Sequence, residues 1–198
     1  MIILFDTCSL LHFLASGEHG ILTSWAKKKG AILAVCEQVE KELVRVMARP
    51  KFARTLADAC WRELRGSLTV LSDSVLLSPA MNRAITDICR RNRLDGRPPA
   101  KILEDGNNLG EFLTASHALY AARQGELVVV VIDDRYGRQL VSVAKTYLPR
   151  PSAETGSIFA SCVRDVVNAA DTSWFSSGIT PGEVLARMEE IEPVPRWF

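Results

Sequence analysis

Acidic side chains stand in this chain where apolar runs end. Asp6 closes the run IILF, and Asp133 and Asp134 follow LVVVVI. Glu42 lies in VEKEL, just after AILAVC, and Glu111 opens the helical pattern in NNLGEFLTA. In an α/β sheet, sites form at the carboxyl ends of strands and in the first turns of neighbouring helices. Four or five carboxylates gathered there repel one another unless divalent cations sit among them. Hard Mg²⁺ or Mn²⁺, held by a few carboxylates and otherwise by water and phosphate oxygens, suits such a set. A cation so held can lower the pKa of a bound water and neutralise charge on a phosphodiester as it reacts.

Each acid also has a plainer use. Glu111 can cap back onto Asn108, Glu42 can face solvent on an amphipathic helix, and Asp133-Asp134 can start the next helix. Asp6 is different, because an aspartate between four apolar residues and Ser9-Leu10-Leu11 lies close to the core, where an unpaired charge is costly. Other chemistries lack their residues. The 12 glycines contain no GxG, no glycine-rich loop ends in GK[ST], and the 3 histidines form no HExxH. No GxSxG elbow occurs. A haloacid-dehalogenase type of phosphatase needs a second aspartate two residues after the first, and that position is Cys8.

The elements that must position these acids are legible from apolar pattern. Ile2–Phe5, Ala31–Cys36 and Leu127–Ile132 read as buried strands, with Leu68–Leu71 a weaker fourth. Glu37–Ala48 carries Val39, Leu43, Val46 and Met47 on one helical stripe, and Leu109–Arg123 carries Leu109, Phe112, Leu113, Leu119 and Tyr120. Ser78-Pro79 and Thr180-Pro181 place a capping hydroxyl before a proline, and Glu183 completes a capping box with Thr180. Alternating strands and helices predict an α/β fold with a mainly parallel sheet. The expected organisation is one domain over 1–198. It has a mostly helical insertion over 50–106 and a C-terminal helix and tail over 171–198.

Composition sets the class. Of 198 residues, 47% are hydrophobic and 24% charged, and 24 Lys and Arg against 23 Asp and Glu leave a net charge of +1. No global excess of charge points to nucleic acid or membrane, although a local basic patch is compatible with it. Five dispersed cysteines without a CxxC pair read as reduced thiols, packed as small hydrophobes, in a cytoplasmic protein. The start MIILF lacks a basic leader, and no apolar run is long enough for a membrane span.

Taken in order, FDTCSLLHFLA, VEKEL, GEFLTASHALYAA and VVVVIDDRYGRQLV resemble the PIN-domain nucleases, most of all the bacterial and archaeal branch akin to VapC-type toxins. The resemblance covers roughly 1–48 and 106–170. It implies a Rossmann-like three-layer α/β/α sandwich and Mg²⁺- or Mn²⁺-dependent endonucleolytic hydrolysis of RNA. By the same resemblance Asp6, Glu42, Glu111 and one of Asp133 or Asp134 hold the metal, and Thr7 or Ser9 supplies a hydroxyl beside it. The other of the two adjacent aspartates is expected to cap the following helix. Glu37 is a rival for the second acid, and residues 49–105 exceed the linker of a compact toxin. The partners implied are an RNA substrate, an antitoxin protein and a second copy of the chain, but no membrane. Candidate phosphate contacts are Arg90, Arg91 and Arg93 with Arg97 and Lys101, then Lys27–Lys29, and Arg135 and Arg138 beside the acidic corner. The plainer reading of Arg90–Arg93 is a solvated helix end. His117, mid-helix among alanines, reads as structural. The alternative to the nuclease is a PIN-like module that binds RNA or protein with little catalysis.

Overall fold

The computed structural model describes residues 1–52, 54–74, 78, 79, 82, 83, 86–88, 108–149, 155–175 and 178–194. Five strands form one parallel sheet: β1 (Ile2–Phe5), β2 (Ile32–Cys36), β3 (Leu68–Leu71), β4 (Leu127–Val131) and β5 (Ser157–Ser161), in the order β3-β2-β1-β4-β5. The helices are α1 (Thr7–Ser16), α2 (Gly20–Lys29), α3 (Glu37–Met47), α4 (Ala57–Arg65), α5 (Leu109–Arg123), α6 (Arg135–Thr146), α7 (Val163–Asn168) and α8 (Pro181–Ile191). A short 3₁₀ turn spans Thr172–Trp174. The architecture is the expected α/β class, a parallel sheet flanked by helices in an α/β/α sandwich.

The central strands explain the sheet's position. β1 and β4 lie side by side with Ile3 opposite Val129 and Phe5 opposite Val131. Ile3, Leu4, Phe5, Val128, Val130 and Val131 are fully buried, as expected when helices cover both faces. The edge strands β3 and β5 are only partly covered, and Phe159 on β5 is exposed. The weak fourth candidate, Leu68–Leu71, is therefore a true strand, paired in parallel with β2 from Leu33–Leu68 to Cys36–Leu71. The 50–106 segment thus carries a strand as well as helix, because β2 needs a neighbour on its outer side.

Around the sheet, α1 packs against α4 and α8, while α5 packs against α6 and β4. On α3 the residues Val39, Leu43 and Met47 are buried, one face of an amphipathic helix. α5 departs from the one-stripe expectation: Phe112, Leu113, Ala115, Ala118, Leu119 and Ala122 are buried together with Thr114, Ser116 and His117. It touches α3, α6 and the sheet at once, which leaves it no wet side. At α8 the expected capping box is present. Thr180 accepts the Glu183 amide at 3.3 Å, Glu183 accepts the Thr180 amide at 2.7 Å, and Pro181 occupies the first turn. Val184, Leu185 and Met188 join the main core. The Asn82 amide donates to the Ser78 carbonyl at 2.9 Å, the first bond of the helix expected after Ser78-Pro79. Among the described residues no helix is long and apolar enough to cross a membrane.

Candidate functional site

The strand order places the chain's change of direction between β1 and β4. From β1 the chain proceeds outward through β2 and β3, then returns to β4 and β5 on the other side. The carboxyl ends of two adjacent parallel strands with divergent connections leave a crevice there. Asp6 leaves β1 and Asp133 leaves β4 at that crevice, with the Asp6 amide donating to the Val131 carbonyl at 3.2 Å.

Asp6 is 1% exposed and caps α1. Its Oδ1 accepts the Ser9 amide at 2.8 Å and lies against the Ser9 hydroxyl, which also faces the Val131 carbonyl at 3.0 Å. Its Oδ2 is buried with no hydrogen-bond partner among the described residues. Burial pushes the Asp6 carboxyl up to about 8. The two Ser9 bonds oppose the shift, and the charges of Asp133 and Glu111 add to it. At neutral pH Asp6 therefore carries a proton when nothing cationic faces it.

Asp133, 2% exposed, accepts the Val163 amide at 3.1 Å through Oδ1, which ties the end of β4 to the start of α7. Its Oδ2 is buried without a hydrogen bond among the described residues, 3.6 Å from His12 Nδ1. Burial raises its pKa, opposed by the Val163 amide and by the nearby His12 and Arg138 side chains. Asp134 does something else. It is the N-cap of α6 and accepts the Gly137 amide at 2.6 Å. Of the adjacent pair, Asp133 turns into the protein and Asp134 caps the helix.

Glu42 comes in from α3. Its Oε2 accepts the Thr7 hydroxyl at 2.6 Å and its Oε1 accepts the Gln38 side-chain amide at 2.9 Å. A methyl group on Gly110 would lie 2.7 Å from Glu42 Oε2, so the glycine before Glu111 makes room for this carboxylate. Glu111 lies in the first turn of α5. Burial raises its pKa, and the charges of Glu42 and Asp134 raise it further. It does not cap through Asn108, whose backbone adopts the left-handed conformation at φ 54° without a side-chain cap bond. Gly137 lets α6 approach, because a methyl there would collide with Ile132 Cδ1 and lie 3.2 Å from Glu111 Cγ.

The structure therefore brings Asp6, Glu42, Glu111, Asp133 and Asp134 to one end of the sheet, each within electrostatic reach of another. Thr7 bonds Glu42 and Ser9 bonds Asp6, so both hydroxyls belong to the corner. As placed, no three His, Cys, Asp or Glu side chains among the described residues form a group that could hold one metal ion. Glu37 is turned away: its carboxylate accepts the Ser72 hydroxyl at 3.2 Å and the Asp73 amide at 3.0 Å. His117 is buried and bonds Asp73 at 2.9 Å, a structural contact.

Of the basic candidates, Arg135 is exposed at the corner, and Arg138 Nε donates to the Ile132 carbonyl at 3.1 Å. Lys27–Lys29 end α2, just before β2 begins, at the opposite edge of the sheet. Arg90, Arg91, Arg93, Arg97 and Lys101 lie outside the described residues. Cys36, Cys60 and Cys162 are buried free thiols, whereas Cys8, in the first turn of α1, is exposed. Close packing of its sulfur and the surrounding carboxylates, Asp6 first, raise the Cys8 pKa, so it is a poor nucleophile.

Sequence reasoning passed over His12. Its Nδ1 faces the Cys8 carbonyl at 3.0 Å and its Nε2 faces the Glu192 carbonyl at 3.2 Å. The ring thus ties α1 to the end of α8 while standing beside Asp133. Only its place six residues after Asp6, in the same helix that Asp6 caps, hinted at this. Gly110 was within reach, since it forms the GE pair with Glu111. Comparison of the chain with known protein families, with curated proteins and with solved structures finds no match.

Proposed function

We propose that the chain is a metal-dependent endoribonuclease of PIN-like type, acting at the crevice between β1 and β4. One observation carries the reading: among the described residues Asp6 Oδ2 and Asp133 Oδ2 are buried without hydrogen bonds at the switch point of a parallel sheet. A buried carboxylate oxygen without a donor is costly, and a cation is the partner that offsets the cost for two acids at once. The all-oxygen donor set fits Mg²⁺ or Mn²⁺. Asp6 and Asp133 would hold the ion, with Glu42 and Glu111 at its margin and Asp134 orienting α6. When bound, such an ion supplies a water of lowered pKa and neutralises charge on the scissile phosphate.

The protein's own groups do the rest. Asp6 gives up its proton when a cation arrives, so loading releases protons and tightens as pH rises toward about 8. Thr7 and Gln38 fix Glu42, and Ser9 fixes Asp6. Arg135, exposed beside Asp134, would meet a phosphate. A cytoplasmic location and an antitoxin partner belong to the same proposal, by resemblance to the toxin branch.

The test is cleavage of single-stranded and structured RNA by purified protein with Mg²⁺ or Mn²⁺, repeated with EDTA and with Asp6→Asn. Cleavage that stops in both controls supports the reading. RNA binding without cleavage under every metal would favour the alternative, a PIN-like module that binds RNA or protein.

A further inference from the structure

A cavity of about 130 Å³ opens beside the acidic corner, between α1, the end of α3 and the end of α8. It shares Thr7 and His12 with the corner: Thr7 bonds Glu42, and His12 stands beside Asp133. Leu11, Val46, Phe52 and Ile191 supply apolar walls. The volume is well below the roughly 300 Å³ at which pockets for drug-sized ligands begin, and is on the scale of one flat ring system.

The polar groups divide into those already engaged and those still open. Thr7 gives its proton to Glu42. Both ring nitrogens of His12 face main-chain carbonyls. Cys8 offers only a weakly donating thiol. Two groups stay open at the rim. Arg49 is exposed, and its side chain makes no hydrogen bond or ion pair among the described residues. Glu192 pairs with Lys51 through Oε2 at 2.6 Å and keeps Oε1 free among the described residues. Lys51 also sits 5.3 Å from the Phe52 ring centroid, which adds a second cation to the rim.

We propose that this cavity receives the nucleobase adjoining the scissile phosphate, and so sets the base preference of the cleavage reaction; this rests on the nuclease reading above. A polynucleotide held by phosphate at the acids must place a neighbouring base within one nucleotide step, and the cavity is the recess that begins at Thr7. Single-stranded RNA is read by splaying a base into a pocket with apolar or aromatic walls and hydrogen-bonding its edge. Here the edge meets the paired N–H donors of the Arg49 guanidinium and one acceptor, Glu192 Oε1. Guanine (N7 and O6) and cytosine (N3 and O2) each present two adjacent acceptors to such a fork with an N–H donor next to them, whereas donors and acceptors alternate along the edges of adenine and uracil. The pocket selects guanine or cytosine.

Two readouts test this. In the first, the four nucleoside 5′-monophosphates are titrated into methyl-labelled full-length protein with Ca²⁺ present. The expected result is that GMP or CMP shifts the Leu11, Val46 and Ile191 methyls at least tenfold more tightly than AMP and UMP. Absence of shifts at these methyls, or equal affinity for all four, overturns the proposal. In the second, cut sites in a mixed-sequence RNA are mapped with Mn²⁺ for the parent, Arg49→Ala and Val46→Trp. The parent is expected to cut beside one of the two bases at least tenfold more often, and both variants are expected to flatten that preference. Val46 is half-buried at the rim, and Val46→Phe serves if the tryptophan variant fails to melt cooperatively. A preference unchanged in these variants overturns the pocket while leaving the nuclease standing. Selective methyl shifts in a parent that cuts no RNA would overturn the nuclease reading and keep a nucleotide-binding pocket.

Discussion

Two polar clusters lie along the same edge of the sheet, and they are built on opposite principles. At the ends of β2 and β3, Asp73 accepts from His117 at 2.9 Å and from the Gln38 amide at 2.9 Å, while Glu37 accepts from Ser72 and from the Asp73 amide. All four carboxylate oxygens are used. At the ends of β1 and β4, Asp6 and Asp133 each spend one oxygen on a backbone amide and leave the other buried without a hydrogen bond among the described residues, that of Asp133 standing 3.6 Å from His12 Nδ1. The first cluster fastens α3 and α5 to the sheet. The second keeps acids together at a cost in stability, which is the mark of a site rather than of a brace. Buried acid alone therefore does not mark a candidate site here; an unspent oxygen does.

The largest expected effect separates the clusters by stability. Asp73→Ala strands the Gln38 amide and a buried imidazole, and should cost about 3 kcal/mol in denaturant melts of the metal-free protein. Asp6→Asn keeps an acceptor for Ser9 and replaces a carboxyl that is already protonated in the metal-free protein at neutral pH, so the same melts should show no loss. Equal destabilisation by the two variants would erase the distinction.

Next comes pH. The folded-state pKa of Asp6 is raised from 3.8 to about 8, so between those values the native protein holds a proton that the unfolded chain has released. Its contribution to stability therefore falls as pH rises from about 4 toward about 8, and is level above. Glu111 and Asp133 are shifted in the same direction. Metal-free protein should lose at least about 1.4 kcal/mol, the worth of one pKa unit, between pH 5 and pH 8.5. Asp6→Asn should shrink that slope and Mn²⁺ should offset it. A slope identical in parent and variant would remove Asp6 as its source.

The smallest effect on stability belongs to Gly110→Ala. The added methyl meets the mobile end of Glu42, so the melting midpoint should move by less than about 1 kcal/mol. The displaced carboxylate should nonetheless lose its bond from Thr7 and weaken Mn²⁺ binding about tenfold. Unchanged Mn²⁺ affinity would detach Glu42 from the site.

Much of this was open to sequence reasoning, for a physical reason. Strands covered on both faces are unbroken apolar runs, so the acids that end them, Asp6 and Asp133, stand out against ILF and VVVVI. The Thr180 cap is equally local and was readable from four residues. What depended on distant pairing was not. Leu68–Leu71 was the faintest strand because an edge strand has an exposed face and fewer apolar residues. The wrapping of α5 follows from three neighbours that no periodicity within it announces. Which of Asp133 and Asp134 turns inward depends on where the Val163 amide arrives, 30 residues later. The same holds for Glu37 and Glu42, whose roles are set by Asp73 and Thr7, and for His12, fixed by the carbonyl of Glu192.

The central claim is that Asp6 and Asp133 share a cation. It is tested most directly by anomalous scattering from crystals grown with Mn²⁺ above pH 8, where Asp6 is ionised. The account predicts an anomalous peak within coordination distance of Asp6 Oδ2 and Asp133 Oδ2, absent from Asp6→Asn crystals. Mn²⁺ bound elsewhere, with both oxygens still bare, would contradict it.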